Sequence, residues 1–195
     1  LVCSPASAQI APNKKCAALL RKPFHVPFVR RVIWGAPVSS DLTLIDDQDV
    51  ITSASNQSIR LITAPGHSDD MSCFLAEEDR ILFTGDLYIT GRVRYLHTDE
   101  DLQAFYNSLN RIAGLEFDAL CCPHRGIIPE GKQALIDKRD FIGEFAQRCQ
   151  ALYAKGHPIA QIRNEVSGKE DFLSYLSAFE FSKLRLVESA LLLKT

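Results

Sequence analysis

LITAPGHSDDMSCFLAEEDRILFTGD, residues 61–86, is the stretch from which the fold of this chain is read. The apolar pair Leu61-Ile62 runs into Ala-Pro-Gly, a turn signal, and His67 follows at once. Two apolar runs, residues 71–75 and 80–83, flank Glu77-Glu78-Asp79, a polar turn suited to a hairpin. Asp86 leaves the second run after Thr84-Gly85. The strand ends of so short a hairpin lie side by side, which places His67 and Asp86 on one rim of a sheet. Downstream, Cys121-Cys122-Pro123-His124-Arg125-Gly126 repeats the same order of apolar strand, turn residue and ligand-type residue.

Upstream of this stretch the pattern is rich in strands. Residues 1–3, 28–34, 42–45, 50–51 and 58–63 read as extended, and residues 4–10 and 14–21 as short helices, the first opened by Ser4-Pro5. Downstream, Thr98-Asp99-Glu100 supplies cap-type residues. Leu102, Phe105, Leu109 and Ile112 then fall at helical spacing up to Gly114. Residues 117–122 read as a strand with an exit loop at 123–126. A long helix follows from Gly131 to about Lys155, its apolar stripe drawn from Leu135, Ile142, Phe145, Cys149 and Leu152. After Gly156-His157-Pro158, three short helices are expected over residues 159–166, 170–179 and 181–193. The domain reading is residues 1–155 as one mixed α/β unit and 156–195 as a helical appendage.

The composition, 46% hydrophobic and 24% charged with a net charge of −2 over 195 residues, suits a folded domain with a full core. It gives no electrostatic footprint for nucleic acid or an anionic membrane, and no apolar run reaches transmembrane length. The six cysteines, several of them in apolar patterns, read as reduced, buried thiols, which favours a cytoplasmic setting. The chain starts with Leu rather than Met, and residues 1–3 read as an interior strand, so the sequence looks cut into rather than begun.

His67, Asp86 and His124 lie nineteen and thirty-eight residues apart, each just beyond an apolar strand. Two imidazoles and a carboxylate suit zinc, iron or manganese. In order and spacing, PGHSDD, FTGD and PHRG resemble the later metal-binding motifs of the metallo-β-lactamase superfamily, which includes glyoxalase II and related hydrolases. The resemblance covers roughly residues 58–155. It implies a four-layer αββα sandwich with two metal ions, zinc first in expectation, at the ends of two facing sheets. It also implies that His67 binds one metal, that Asp86 bridges both and is catalytic, and that His124 binds the other. The nucleophile implied is a hydroxide held between the metals, acting on an ester, thioester or similar acyl group.

The family's HxHxDH motif is absent from the 195 residues; His25, His97 and His157 stand alone. The expectation is therefore an N-terminally incomplete fold whose first metal motif and first β-layer lie upstream of Leu1. With one histidine and a share of Asp86 for each metal, the chain alone is expected to bind metal poorly or to gather one ion. Its sheet is expected to show uncovered apolar surface. Asp69 and Asp70 are candidates to orient an imidazole or to stand as solvated loop carboxylates. Arg125, Tyr88, Arg92 and Arg94, with Tyr95, are candidates to line the pocket and hold an anionic small-molecule substrate. Two alternatives stay open: a phosphodiesterase or ribonuclease on the same scaffold, with nucleic acid less favoured than a small molecule, and a non-catalytic binding module that has lost its first metal motif.

Overall fold

The computed structural model describes residues 10–11, 43–52 and 56–195. The expected strands at residues 1–3 and 28–34 and the helix at 14–21 lie outside them. Ile10–Ala11 (β1) and Thr43–Leu44 (β2) pair in parallel, so the helix expected to run through Ile10 is corrected to extended backbone there.

Alternating apolar residues then build a six-stranded mixed sheet. Its strands are Val50–Thr52 (β3), Ser58–Thr63 (β4), Ser72–Ala76 (β5), Ile81–Phe83 (β6), Ala119–Cys122 (β8) and Gly126–Ile128 (β9), in the order β3-β4-β5-β6-β8-β9. Every pairing is antiparallel except β6 with β8, which run parallel with Phe83 opposite Cys121. A parallel pair needs a crossover connection, and Leu102–Ala113 (α1) supplies it. Leu96–His97 (β7) lies outside this sheet and pairs with Phe181–Ser182 (β10). The exit loop expected at 123–126 runs directly into strand β9. Gly126, at φ +72°, turns the chain back so that Ile128 pairs with Leu120.

Because side chains alternate across a strand, the sheet has two apolar faces. Ile62, Cys73, Leu75, Leu82 and Leu120 face a core shared with Leu109 and Ile112 of α1 and Leu135 and Ile142 of the long helix Gly131–Ala154 (α2). Each fully buried Leu or Ile contributes roughly 1.5–3 kcal/mol. The other face carries the row Leu61, Phe74, Phe83, Cys121 and Ile127. There Leu61 is buried, whereas Phe83 is 42% and Ile127 66% exposed.

After α2 come Ile159–Val166 (α3), Phe172–Leu176 (α4) and Lys183–Leu192 (α5). Ile162, Leu186, Val187 and Ala190 join the core that α1 and α2 form. Helix α4 is shorter than the expected 170–179 because Ala178 and Phe179 both take left-handed backbone, at φ +50° and +63°. Helix α5 starts at Lys183 because 181–182 are committed to β7. Glu170 fixes that start by accepting the backbone N–H groups of Lys183 and Leu184 at 3.1 and 2.8 Å.

No helix among the described residues is long and apolar enough to cross a membrane. At Gly131, a Cβ would meet the backbone N of Leu120 at 2.2 Å, so the start of α2 lies on β8 as closely as the backbone allows. Gly131→Ala is expected to cost about 1–3 kcal/mol of stability in urea denaturation. An unchanged midpoint would mean that α2 and β8 are not locked together at this point.

Candidate functional site

Strands β4, β6 and β8 all end on the same edge of the sheet, and the register sets Leu61, Phe74, Phe83 and Cys121 in one row across it. Asp86 and His124 each come three residues after their member of that row, and His67 comes six after Leu61. Each exit is held locally. The loop of His67 is closed by Ala64 N–H donating to Met71 O at 2.7 Å and is docked on α1 by Asp101 N–H donating to Gly66 O at 2.8 Å. Gly66 lies so close to Phe105 that a Cβ would meet its Cα at 2.3 Å. Asp86 sits in the single 3-10 turn Gly85–Leu87, anchored where Thr84 N–H donates to Cys121 O at 3.0 Å.

These exits bring the three candidate ligands into a row. Nε2 of His67 stands 3.4 Å from Asp86 Oδ2, and Nε2 of His124 stands 3.0 Å from Asp86 Oδ1. The two imidazoles therefore address opposite oxygens of one carboxylate. Behind His67, Glu100 Oε1 lies 2.7 Å from Nδ1, while its Oε2 accepts the His97 backbone N–H at 2.8 Å. A carboxylate at Nδ1 fixes the proton there and leaves Nε2 as the lone-pair nitrogen of the neutral ring, the tautomer a metal requires. The hydrogen bond to Glu100 also holds the His67 pKa above its ordinary 6.5. The cap of α1, expected in part from Glu100, comes from Asp101 instead, which accepts the N–H groups of Gln103 and Ala104.

A cavity of about 250 Å³ opens beside this row, lined by His67, Asp86 and Glu100, by Arg92, Arg94 and Tyr95 of the following loop, and by Phe105, Lys138 and Phe181. Lys138 is a buried cation, 4% exposed, that sequence reading missed. Its Nζ donates to Leu87 O at 2.8 Å and sits 4.7 Å from the centre of the Phe105 ring. Burial pushes its pKa down to about 8, against the pull of Glu100 and Asp86. The signal in the sequence was a lysine on the Leu135–Ile142 stripe, where the helical period calls for an apolar side chain.

Of the other candidates, Arg92 and Arg94 line the cavity, whereas Tyr88 is buried in the core beneath Lys138 and Arg125 is exposed beyond it. Asp70 accepts Ser68 Oγ at 2.7 Å within the loop, and it is Glu100 that grips His67. Cys73, Cys121, Cys122 and Cys149 are free thiols. Burial raises Cys73 to about 12 and Cys149 to about 11, so neither is a nucleophile near neutral pH.

Among the described residues, no three His, Cys, Asp or Glu side chains gather round one point as a single ion needs. The row fits a metal centre in kind, with two imidazoles and a carboxylate able to bridge, and falls short in number, with one imidazole to each carboxylate oxygen where a catalytic zinc takes three protein ligands.

Comparison with known proteins bears on this geometry. A family model described as the metallo-beta-lactamase superfamily matches residues 9–124. A hydroxyacylglutathione hydrolase of Francisella tularensis subsp. novicida is 39% identical over 113 residues, covering 55% of this chain and 44% of that protein. An atrochrysone carboxyl ACP thioesterase of Aspergillus fumigatus is 33% identical over 102 residues, covering 52% of this chain and 30% of that protein. The chain thus spans less than half the length of these relatives. Among solved structures, a metallo-beta-lactamase family protein from Thermus thermophilus aligns over 94% of this chain and 66% of its own, with a TM-score of 0.65 at 16% identity, which shows a shared fold.

Two titrations check the charges. In metal-free protein, Glu100→Gln is expected to bring the His67 imidazole, followed by NMR, down from its raised pKa towards 6.5. In the wild type the raised value stabilises the fold below pH 6.5, and that contribution is lost as pH climbs through the folded-state pKa. For Lys138 the sign is opposite. The fold binds fewer protons than the unfolded chain between about 8 and 10.5, so this group makes stability rise with pH over that window. Lys138→Met is expected to flatten that rise in denaturation curves.

Proposed function

The chain belongs to the metallo-β-lactamase superfamily, and on that premise we propose that the whole protein is a metal-dependent hydrolase of an acyl substrate, a thioester or ester. One observation carries the reading: His67, Asp86 and His124 stand as imidazole, carboxylate and imidazole on a single sheet edge, beside a cavity of about 250 Å³. The relatives named as a thioesterase and a hydroxyacylglutathione hydrolase support the acyl class.

In this reading His67, Asp86 and His124 would hold the metal, the imidazoles through Nε2 and Asp86 through its carboxylate oxygens. Zinc is the first choice for this donor set, iron and manganese the alternatives. When bound, the metal would supply an acidified water molecule and polarisation of the acyl carbonyl. Glu100 keeps the His67 ring aimed. Lys138, through Leu87 O, holds the turn that presents Asp86. Arg92, Arg94 and Tyr95 line the side where an anionic small-molecule substrate enters, with Arg125 further out. Two ions would need further donors besides these three. The free thiols support a reducing compartment such as the cytoplasm.

A second reading, a binding module without catalysis, is favoured by the absence of HxHxDH from the 195 residues. Metal analysis of the whole protein and turnover of a panel of acyl thioesters and phosphodiesters separate the readings. The hydrolase reading expects bound zinc and thioester turnover lost in His67→Ala, Asp86→Asn and His124→Ala. It also expects about a 10- to 100-fold loss of zinc affinity in Glu100→Gln. Metal-free protein without turnover establishes the binding module, and turnover of phosphodiesters alone moves the assignment to that class.

A further inference from the structure

Behind the loop of Arg92 and Arg94 lies a second cleft of about 420 Å³. Its floor is one face of α2, where Phe141, Glu144, Phe145 and Arg148 follow the helical period. Its far side is the end of α3 and Lys183 at the start of α5. Phe141 and Phe145 are half-buried, so the floor is apolar and aromatic.

The charge around it is lopsided. Four cations line the cleft against one carboxylate, Glu144, in a chain whose net charge is −2. Lys183 is already satisfied, donating to Lys169 O and pairing with Asp171, both at 2.9 Å. Arg92, Arg94 and Arg148 have no carboxylate partner among the described residues; Arg92 lies instead over the Phe141 ring, 5.9 Å from its centre. Like charges held around a concave, partly apolar surface repel one another, and a bound anion relieves that repulsion. Guanidinium groups match phosphate or carboxylate oxygens two at a time, and the aromatic floor offers stacking to a flat ring.

The two cavities share a wall. Arg92, Val93 and Arg94 line both, so one molecule reaching across this loop occupies the two together. We propose that the second cleft binds the handle of the acyl substrate, a carrier group with two or more phosphate or carboxylate charges beside a flat ring, while the acyl bond lies at Asp86 beyond the Arg92–Arg94 wall. That the bound group is the handle of an acyl substrate rests on the hydrolase reading; that the cleft binds such an anionic, ring-bearing group does not.

Calorimetry on the 195-residue chain tests the handle without turnover or metal. The probes are adenosine 3′,5′-bisphosphate for a phosphate source, p-aminobenzoylglutamate for a carboxylate source beside a flat ring, and inorganic phosphate for the bare anion. One of the first two is expected to bind in a single site more tightly than inorganic phosphate, and whichever does names the source. Arg148→Gln is expected to weaken that binding about tenfold and Glu144→Gln to strengthen it. Arg148 and Glu144 are exposed, and unchanged thermal melting confirms that these variants fold. Binding no tighter than inorganic phosphate, binding indifferent to Arg148, or tighter binding of a short oligonucleotide than of the bisphosphate overturns the proposal. Handle binding without thioester turnover sinks the hydrolase reading and leaves the cleft assignment standing. Turnover without handle binding does the reverse.

Discussion

The parallel pairing of β6 with β8 is the constraint from which the rest of the site follows. Had β8 paired in the opposite sense, Asp86 and His124 would leave the sheet at opposite edges, some strand length apart. With Phe83 opposite Cys121, two exits of equal length deliver a carboxylate and an imidazole to within 3.0 Å of each other. The meander of β4, β5 and β6 does the same for His67 by reversing the chain twice. The price is a long crossover through α1, and that helix is not idle: its N-terminus grips Gly66 and carries Phe105 under Lys138.

Electrostatics around Asp86 are arranged in two tiers. Asp86 and Glu100 are carboxylates that share His67, with His124 completing the outer end of the row. Lys138 lies beneath them, buried among aromatic rings with its amine on the Leu87 carbonyl. A buried charge is tolerated only where opposite charge and hydrogen bonds offset its lost hydration. The facing carboxylates and the two rings do that here, and the depressed pKa of Lys138 shows that the offset is incomplete. The second cleft has the converse imbalance, with cations in excess.

Much of this was legible because strand exits are written locally. Pro65-Gly66, Thr84-Gly85 and Pro123 punctuate apolar runs, and the residue chemistry after each is visible without knowing the fold. What was hidden depends on distance along the chain. Glu100 meets His67 across 33 residues, and in sequence it looks like any acidic residue at a helix start. The pairing of β7 with β10 joins residues far apart, which is why 181–182 read as helix. Lys138 was legible in principle as a break in an apolar stripe. The left-handed pair Ala178-Phe179 carries no glycine or asparagine to announce it.

The proposed hydrolase depends on His67, Asp86 and His124 being metal ligands. Anomalous diffraction at the zinc edge, on crystals of the whole protein grown with zinc, tests it most directly. The expected result is anomalous density within ligand distance of His67, Asp86 and His124. Peaks elsewhere with this row empty, or no peak in zinc-saturated crystals, would contradict it.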